Sequence, residues 1–390
     1  MSPAATLMAN ITSTDETKES DDHDCVASQY QKGVKHLCEN YGISKVPKKY
    51  VLPESDRPNN AVDQTLLLQL NVITPNLKLP IIDFSELQGS NRSQALKSLA
   101  HACQEYGFFQ VVNHGISNHV MSNMIDVSKR FFELPFEERF KYMSSDMSAV
   151  VRYGTSFNQS KDSVFCWRDF LKLICSHPLS DVLHHWPSSP TDMRRLAATY
   201  AKETKNLFLM LVEGILESLE LLGTTGTAEE VDELLEQLQD GSQLMVVNCY
   251  PPCPEPNLTL GMPPHSDYGF ITLLLQDEVQ GLQIQYKEKW VTVEPIPNSF
   301  VVNVGDHLEI FSNGKYKSVL HRVVVNSANS RISVASLHSF PFNAVVRPSP
   351  ALINKENPRR YKDTDFASFL TYISSCEPKS KNFLDSRKLL

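Results

Sequence analysis

The stretch that decides the fold is SVLHRVVVNSANSRISVAS, at positions 318–336. Two β-rich runs, Ser318–Val325 and Ile332–Ser336, are separated by Asn and Ser residues that are typical of turns. The stretch therefore predicts two consecutive short strands of a β-rich region.

The same pattern extends over residues 243–341. Asn313-Gly314 predicts a hairpin turn. Short strands separated by turn residues at short intervals predict an antiparallel sandwich or barrel. The further predicted strands are Leu244–Val247, Phe270–Leu275, Gly281–Gln285, Trp290–Val293 and Ser299–Val304.

Helical periodicity dominates the rest of the chain. Helices are predicted at Val26–Asn40, Ser93–Glu105, Val120–Phe132, Thr191–Leu222, Glu229–Leu238 and Asp363–Ile373, and short strands at Leu79–Phe84 and Tyr106–Val112. We therefore divide the chain into four parts: 1–60, a disordered acidic tail with a short helix and a linker; 79–240, strands and helices; 243–342, the β-rich domain; and 343–390, a helical tail.

Composition narrows the possible partners. The chain has 390 residues, a net charge of −8 and 41% hydrophobic residues. This acidic balance disfavours nucleic acid as a partner, and we find neither an apolar run long enough for a membrane span nor a secretory leader. The eight cysteines form no CxxC pair, which indicates reduced thiols. We expect a monomer in the cytoplasm or nucleus.

Three potential metal ligands lie in the β-rich region. His265 and Asp267 are two positions apart, so on a β-strand their side chains would point the same way, and His321 follows 54 residues after Asp267. Two neutral imidazoles and one carboxylate on one side of a metal leave the opposite positions free. This set predicts a non-haem Fe(II) centre that also binds a co-substrate and O₂.

A second group of polar residues predicts that co-substrate. Arg331 and Ser333 alternate along one predicted strand and point to one face, as do Asn248 and Tyr250 on another. A guanidinium beside a hydroxyl binds a carboxylate well. A dicarboxylic 2-oxo acid could chelate the metal at one end and place its far carboxylate on Arg331, Ser333 and the Tyr250 hydroxyl.

From Leu79 to about Pro341 the chain resembles the plant Fe(II)/2-oxoglutarate-dependent dioxygenases, with the flavanone 3-dioxygenase-like branch nearest. The motifs that carry the resemblance are Tyr106-Gly107-Phe108-Phe109, Asn113-His114-Gly115, Asn248-x-Tyr250-Pro251-Pro252-Cys253-Pro254, His265-x-Asp267, Gly281-Leu282-Gln283, Asn303-x-Gly305-Asp306, Ser312-Asn313-Gly314-x-Tyr316-Lys317-Ser318 and Arg331-x-Ser333.

The resemblance implies an α+β fold with a mostly β core, a double-stranded β-helix (jelly-roll, cupin-like) with surrounding helices. His265, Asp267 and His321 map onto the iron ligands of the family. Arg331 and Ser333 map onto its 2-oxoglutarate site, with Tyr250 and Asn248 as secondary contacts. The implied reaction uses Fe(II), 2-oxoglutarate and O₂, with ascorbate as the in vitro reductant. It hydroxylates or desaturates a small molecule and releases succinate and CO₂.

The substrate is less well determined. Candidate pocket residues are mostly apolar and favour a small hydrophobic plant metabolite: Phe132, Tyr153, Ser156, Phe157, Phe270, Leu337, Ser339, Phe340 and Phe342. Flavonol- and anthocyanidin-forming relatives carry Lys where this chain has Val246, and anthocyanidin-forming ones carry Glu where it has Ser339. A terpenoid, gibberellin-like hormone, alkaloid or indolic substrate is therefore as consistent with the sequence as a flavonoid.

Other functions remain open at this point. A zinc hydrolase would also use His and Asp ligands, but it would not explain Arg331, Ser333 and Tyr250. A non-catalytic ligand-binding or sensor protein could share the fold. An ethylene-forming relative that uses ascorbate instead of 2-oxoglutarate also keeps the Arg-x-Ser motif. We expect His114 and His307 to be structural residues in turns, and Cys249 to lie in the core.

Overall fold

The computed structural model describes residues 32–58, 78–156, 162–175, 178–222, 228–375 and 382–389. Its helices are α1 Val34–Tyr41, α2 Phe84–Gln88, α3 Arg92–His101, α4 Asn118–Glu133, α5 Phe136–Phe140, α6 Ser180–Leu183, α7 Met193–Ser218, α8 Ala228–Gln239, α9 Asp306–Phe311, α10 Phe366–Ser375 and α11 Asn382–Arg387. Helix α3 continues into a π-helical turn at Ala102–Tyr106. Among these residues, no helix combines the length and apolar composition needed to cross a membrane.

Twelve strands form two sheets in the described part of the chain. The large sheet has the order β1-β2-β10-β7-β12-β5-β4-β3, and the small sheet has the order β6-β11-β8-β9. The strands are β1 Ile81–Asp83, β2 Phe108–Val112, β3 Val151–Gly154, β4 Asp169–Ile174, β5 Gln243–Tyr250, β6 Met262–His265, β7 Ile271–Gln276, β8 Leu282–Tyr286, β9 Lys289–Thr292, β10 Phe300–Val304, β11 His321–Val323 and β12 Arg331–His338.

The large sheet carries helices on one side and a cavity on the other. Its central strands β5 and β12 pair antiparallel along their whole length, with Arg331 opposite Tyr250 and Ser333 opposite Asn248. Because side chains alternate along a strand, Val247 and Val334 point to the opposite face, where they are fully buried in the main core together with α7. One face of the sheet thus builds the core and the other builds the site.

Residue Asp169 fixes the N-terminal helix to this scaffold. Its side chain points away from the cavity and accepts hydrogen bonds from the first backbone N–H groups of α1, those of Val34 (2.8 Å) and Lys35 (3.1 Å). A carboxylate is favoured there because the first N–H groups of a helix have no partner within the helix. Burial nevertheless raises the pKa of Asp169 above its ordinary value, although these hydrogen bonds act to lower it.

Several expectations need correction. Asn313-Gly314 is not a hairpin turn: it follows α9, and the Gly314 N–H donates to the Glu309 carbonyl 2.8 Å away, which closes the end of that helix. Strands β3, β4 and β6 were not predicted. Strands β1–β4 belong to the same sheet as β5, so the predicted 79–240 and 243–342 parts share one sheet. The predicted N-terminal disordered tail lies outside the described residues.

Candidate metal centre and adjoining cavity

The two histidines of the predicted triad meet across the small sheet. His265 ends β6 and His321 begins β11, and the two residues are direct partners in the antiparallel register. Their ring centroids lie 4.1 Å apart. The pairing of two strands, 56 positions apart in sequence at these residues, therefore brings both imidazoles to one place.

The carboxylate of Asp267 completes the group from a turn. Its Oδ1 lies 3.8 Å from His265 Nε2 and 3.6 Å from His321 Nε2, and the ligand atoms of all three residues lie within 4.8 Å of one another. Asp267 lies beyond the end of β6, so the strand-alternation argument was wrong for it. Instead Asn303 Nδ2 donates to Asp267 Oδ2 at 3.0 Å and orients the carboxylate.

The protonation of the group suits a metal. His265 Nδ1 lies 2.9 Å from the Pro263 carbonyl, which can only accept, so Nδ1 carries the proton and Nε2 keeps its lone pair. Burial and the neighbouring His321 lower the pKa of His265 to about 3, which keeps its ring neutral. Burial acts to raise the pKa of Asp267, but His321 and His265 hold it below its ordinary value.

The predicted carboxylate site lies on the large sheet. Arg331 Nη1 donates to Ser333 Oγ at 3.4 Å, Nη2 donates to Gln276 Oε1 at 2.8 Å, and the guanidinium lies 5.3 Å from the centroid of the Tyr250 ring. Arg331 is only 2% exposed, yet no carboxylate of the described residues lies within 4 Å of its nitrogens. The Asp277 carboxylate interacts with Arg331 only beyond this distance. A buried cation without a direct ion pair is costly, so the site is suited to an anionic ligand.

One cavity of about 730 Å³ joins the two groups. The triad, Arg331, Ser333, Tyr250 and Asn248 all line it, together with strands β3 and β4 and aromatic residues of α10. Of the predicted substrate residues, Leu337, Ser339, Phe340 and Phe342 also line it.

Other predicted substrate residues lie elsewhere. Phe132, Tyr153 and Phe270 are buried in the main core, not in the cavity wall. Tyr153 occupies a structural network, because its hydroxyl donates to Asp169 Oδ2 at 3.0 Å on the far side of the sheet. Ser156 donates to Asp162 Oδ2 at 2.5 Å. Phe157 lies outside the described residues.

Two models of known families match the chain. The 2OG-Fe(II) oxygenase superfamily matches residues 241–339, and the N-terminal region of non-haem dioxygenases in morphine synthesis matches residues 79–189. The protein DMR6-LIKE OXYGENASE 1 of Arabidopsis thaliana is 44% identical over 312 residues, which cover 80% of this chain and 84% of the relative. The chain belongs to the 2OG-Fe(II) oxygenase superfamily.

Further comparisons agree with this assignment. The oxygenase is 40% identical over 326 residues to flavanone 3-dioxygenase 2 of Oryza sativa subsp. japonica, across 83% of this chain and 89% of the relative. The crystal structure of JOX2 in complex with 2OG, Fe and JA superposes with a TM-score of 0.78 at 30% identity, over 92% of this chain and 98% of that one. The predicted double-stranded β-helix is therefore confirmed.

Membership in the family also decides the reaction class. The oxygenase uses Fe(II), 2-oxoglutarate and O₂, as predicted. Family membership therefore favours the predicted dioxygenase over the two alternatives, a zinc hydrolase and a non-catalytic ligand-binding protein. The structure confirms that His114 and Cys249 are structural. His114 is buried outside the cavity, with Nε2 3.1 Å from the Asn298 carbonyl, and Cys249 lies in the core.

Several cavity residues of the oxygenase were missed. Arg152 of β3 faces the cavity, together with Arg168 just before β4 and Lys172 on β4. The period-two pattern in RDFLKLI was the signal that could have revealed the last two. His307 was expected in a turn, but it lies in α9 and lines the cavity, with Nδ1 2.5 Å from Ser339 Oγ.

Proposed function

We propose that His265, Asp267 and His321 hold the Fe(II) of this oxygenase. The chemistry of the donor set supports this assignment: two neutral imidazoles and one carboxylate converge, and hydrogen bonds from Asn303 and to Pro263 fix their orientation. The bound Fe(II), with 2-oxoglutarate and O₂, would supply the oxidising chemistry. The protein would supply ligation, orientation and exclusion of water.

We further propose that Arg331 and Ser333 bind the distal carboxylate of 2-oxoglutarate, with Tyr250 and Asn248 lining the same site. The observation that carries the assignment is the buried Arg331 guanidinium, which has no carboxylate within ion-pair distance among the described residues. Ser333 and Tyr250 add hydroxyl groups on the same face of the sheet. A carboxylate there would gain charge-assisted hydrogen bonds and neutralise the guanidinium.

Anaerobic titration calorimetry of the Fe(II)-loaded protein tests this site. The probes are 2-oxoglutarate and 2-oxopentanoate, which keeps the metal-chelating end but has a methyl group in place of the distal carboxylate. We expect 2-oxoglutarate to bind at least about tenfold more tightly, since a charge-assisted hydrogen bond contributes about 1.5–3 kcal/mol. Equal dissociation constants for the two acids would contradict the assignment.

We infer that the organic substrate is a small molecule with an apolar body, which the oxygenase hydroxylates or desaturates. The cavity wall beside the metal group supports this, because it includes Leu244, Val246, Leu337 and the aromatic residues Phe340 and Phe369. The relatives include a flavanone 3-dioxygenase, a thebaine 6-O-demethylase and a jasmonate-induced oxygenase. Incubation with Fe(II), 2-oxoglutarate, ascorbate and a plant metabolite extract, followed by mass spectrometry, tests the inference.

We also propose that the oxygenase acts as a cytoplasmic monomer without nucleic-acid partners. The six cysteines of the described residues are all free, which suits a reducing compartment. Light scattering during size-exclusion chromatography tests the oligomeric state, and a mass near twice 44.0 kDa would contradict it.

A further inference from the structure

A second buried guanidinium, that of Arg168, lines the cavity and has no role assigned so far. Arg168 is 4% exposed and precedes β4, and its Nη1 donates to Asn248 Oδ1 at 3.0 Å. Its Nε is buried without a hydrogen-bond partner, and no carboxylate of the described residues lies within 4 Å of its nitrogens. The group keeps a full charge and unmet donors inside a largely apolar cavity.

We propose that Arg168 binds the carboxylate of the organic substrate, so that the oxygenase acts on a small monocarboxylic acid with an apolar body. The proposal rests on the proposed function, because it requires 2-oxoglutarate to occupy the Arg331 site. Arg168 would then position the acid so that its apolar body lies along the cavity wall.

The charges around the cavity support an additional anion. Four cationic side chains line it, namely Arg152, Arg168, Lys172 and Arg331. Carboxylates act on three of them: Asp162 and Asp146 on Arg152, Asp146 on Lys172, and Asp277 on Arg331. Fe(II) and the dianionic 2-oxoglutarate would cancel each other, and would leave the charge of Arg168 without an anion.

Lys172 and Arg152 have hydrogen-bond and charge partners close by. Arg168 is therefore the cation of this wall that we consider available to a ligand. Lys172 Nζ donates to the Met147 carbonyl at 2.7 Å, Arg152 Nε donates to the Ser144 carbonyl at 2.8 Å, and the Asp146 carboxylate stabilises both charges. Burial, and to a smaller extent Arg152, still lower the pKa of Lys172 to about 8. A single guanidinium carries one positive charge, which one carboxylate neutralises while it accepts charge-assisted hydrogen bonds.

The register of the sheet places Lys172 of β4 directly opposite Val246 of β5. Arg168, immediately before β4, and Lys172 both line the cavity, as does the apolar ring of Phe170, which lies between them in sequence.

Binding of matched acids and amides tests the proposal. The full-length protein, loaded anaerobically with Fe(II) and saturating 2-oxoglutarate, is titrated with benzoate, cinnamate and octanoate and with the primary amide of each. Because the amide keeps the shape but loses the charge, we expect at least one acid to bind about tenfold or more tightly than its amide. If no acid binds more tightly than its amide, the proposal is wrong.

Variants identify the responsible cation. Arg168→Gln should remove the preference for the acid, Arg168→Lys should keep part of it, and the matched control Lys172→Met should keep most of it. An unchanged preference in Arg168→Gln, with its melting temperature retained, would overturn the proposal. Loss of 2-oxoglutarate binding in Arg168→Gln would instead place this residue in the co-substrate site, which also overturns it but leaves the Arg331 assignment intact.

Discussion

The two buried guanidiniums of the cavity invite comparison. Arg331 on β12 and Arg168 before β4 lie on either side of β5, and each contacts one polar residue of that strand, Tyr250 or Asn248. Arg331 is surrounded by a hydroxyl and an amide, whereas Arg168 has the Asn248 amide and the ring of Phe170, 4.9 Å away. Arg331 and Ser333 form one of the motifs that carry the family resemblance, and Arg168 lies in none of the motifs named for it.

The difference follows from the ligands that we propose for each. The co-substrate is common to the family, so its site is built from residues at fixed spacing, Arg331-x-Ser333 with Asn248-x-Tyr250. A substrate differs between relatives, so the residues that recognise it need not recur in a motif. Family resemblance therefore predicts the Arg331 side of the cavity, whereas the Arg168 side is indicated only by the period-two pattern of RDFLKLI and by the structure.

The largest effect is expected when the proposed iron site, which lies in the same cavity as Arg331 and Arg168, is removed. Asp267→Ala should abolish iron binding and lower turnover to less than about one-hundredth of the wild-type rate. Mutation of a residue that only hydrogen-bonds to a metal ligand already lowers metal affinity or activity by about 10–100-fold. Bound iron and succinate release are the measurements. His114→Gln, a buried histidine outside the cavity, is the control and should retain iron.

The second largest effect concerns only the binding of 2-oxoglutarate at Arg331. Arg331→Gln should weaken 2-oxoglutarate binding by about 2–4 kcal/mol, because the partner carboxylate loses a charge-assisted pair. Binding of 2-oxopentanoate, measured by the same calorimetry, should hardly change. If both acids weakened equally, Arg331 would act through the fold and not through the distal carboxylate.

A glycine behind Arg331 offers a smaller perturbation. A Cβ at Gly281 would lie 2.9 Å from the Val324 carbonyl oxygen and 3.0 Å from Arg331 Cδ, so Gly281→Ala must displace one of them. We expect 2-oxoglutarate binding to weaken by about 1–2 kcal/mol, within the range for overpacked sites. Gly214→Ala in α7, where the nearest contact is an ordinary 3.4 Å, is the matched control and should bind 2-oxoglutarate normally.

The smallest effect removes one hydroxyl. Ser333→Ala should weaken 2-oxoglutarate binding by about 1 kcal/mol, the usual contribution of a single hydrogen bond, and should leave the acid-to-amide preference unchanged. Calorimetry on the purified variant measures both. A change in that preference would show that the two sides of the cavity are coupled.

The sequence was sufficient to predict the residues that belong to motifs. It was insufficient for strands whose existence depends on pairing between distant segments. The structure brings His265, Asp267 and His321 together, and the predicted β-rich core is confirmed. Strand β6 was missed because Pro263 and Pro264 disguise it, although proline is tolerated there since β6 is an edge strand. Strand β4 was missed because charged residues on its cavity face resemble a solvent-exposed surface.

The Asn313-Gly314 turn shows a different limit. Both residues have positive φ, 49° and 81°, as the dipeptide predicts. The same local conformation, however, can end a helix as well as join two strands. Which of the two occurs depends on the elements on either side, and α9 was not visible in the sequence pattern.

The alternation along β4 has a consequence for how new specificities could arise. Asp169 and Leu171 point to the scaffold, where Asp169 holds α1, while Arg168, Phe170 and Lys172 point to the cavity. Residues that line the cavity therefore alternate, along and just before β4, with residues that pack in the scaffold, and they lie apart from the strands that carry the proposed iron ligands. Substitution of the cavity-facing residues alone, in evolution or by design, could therefore change the substrate range while the iron and 2-oxoglutarate sites stay the same.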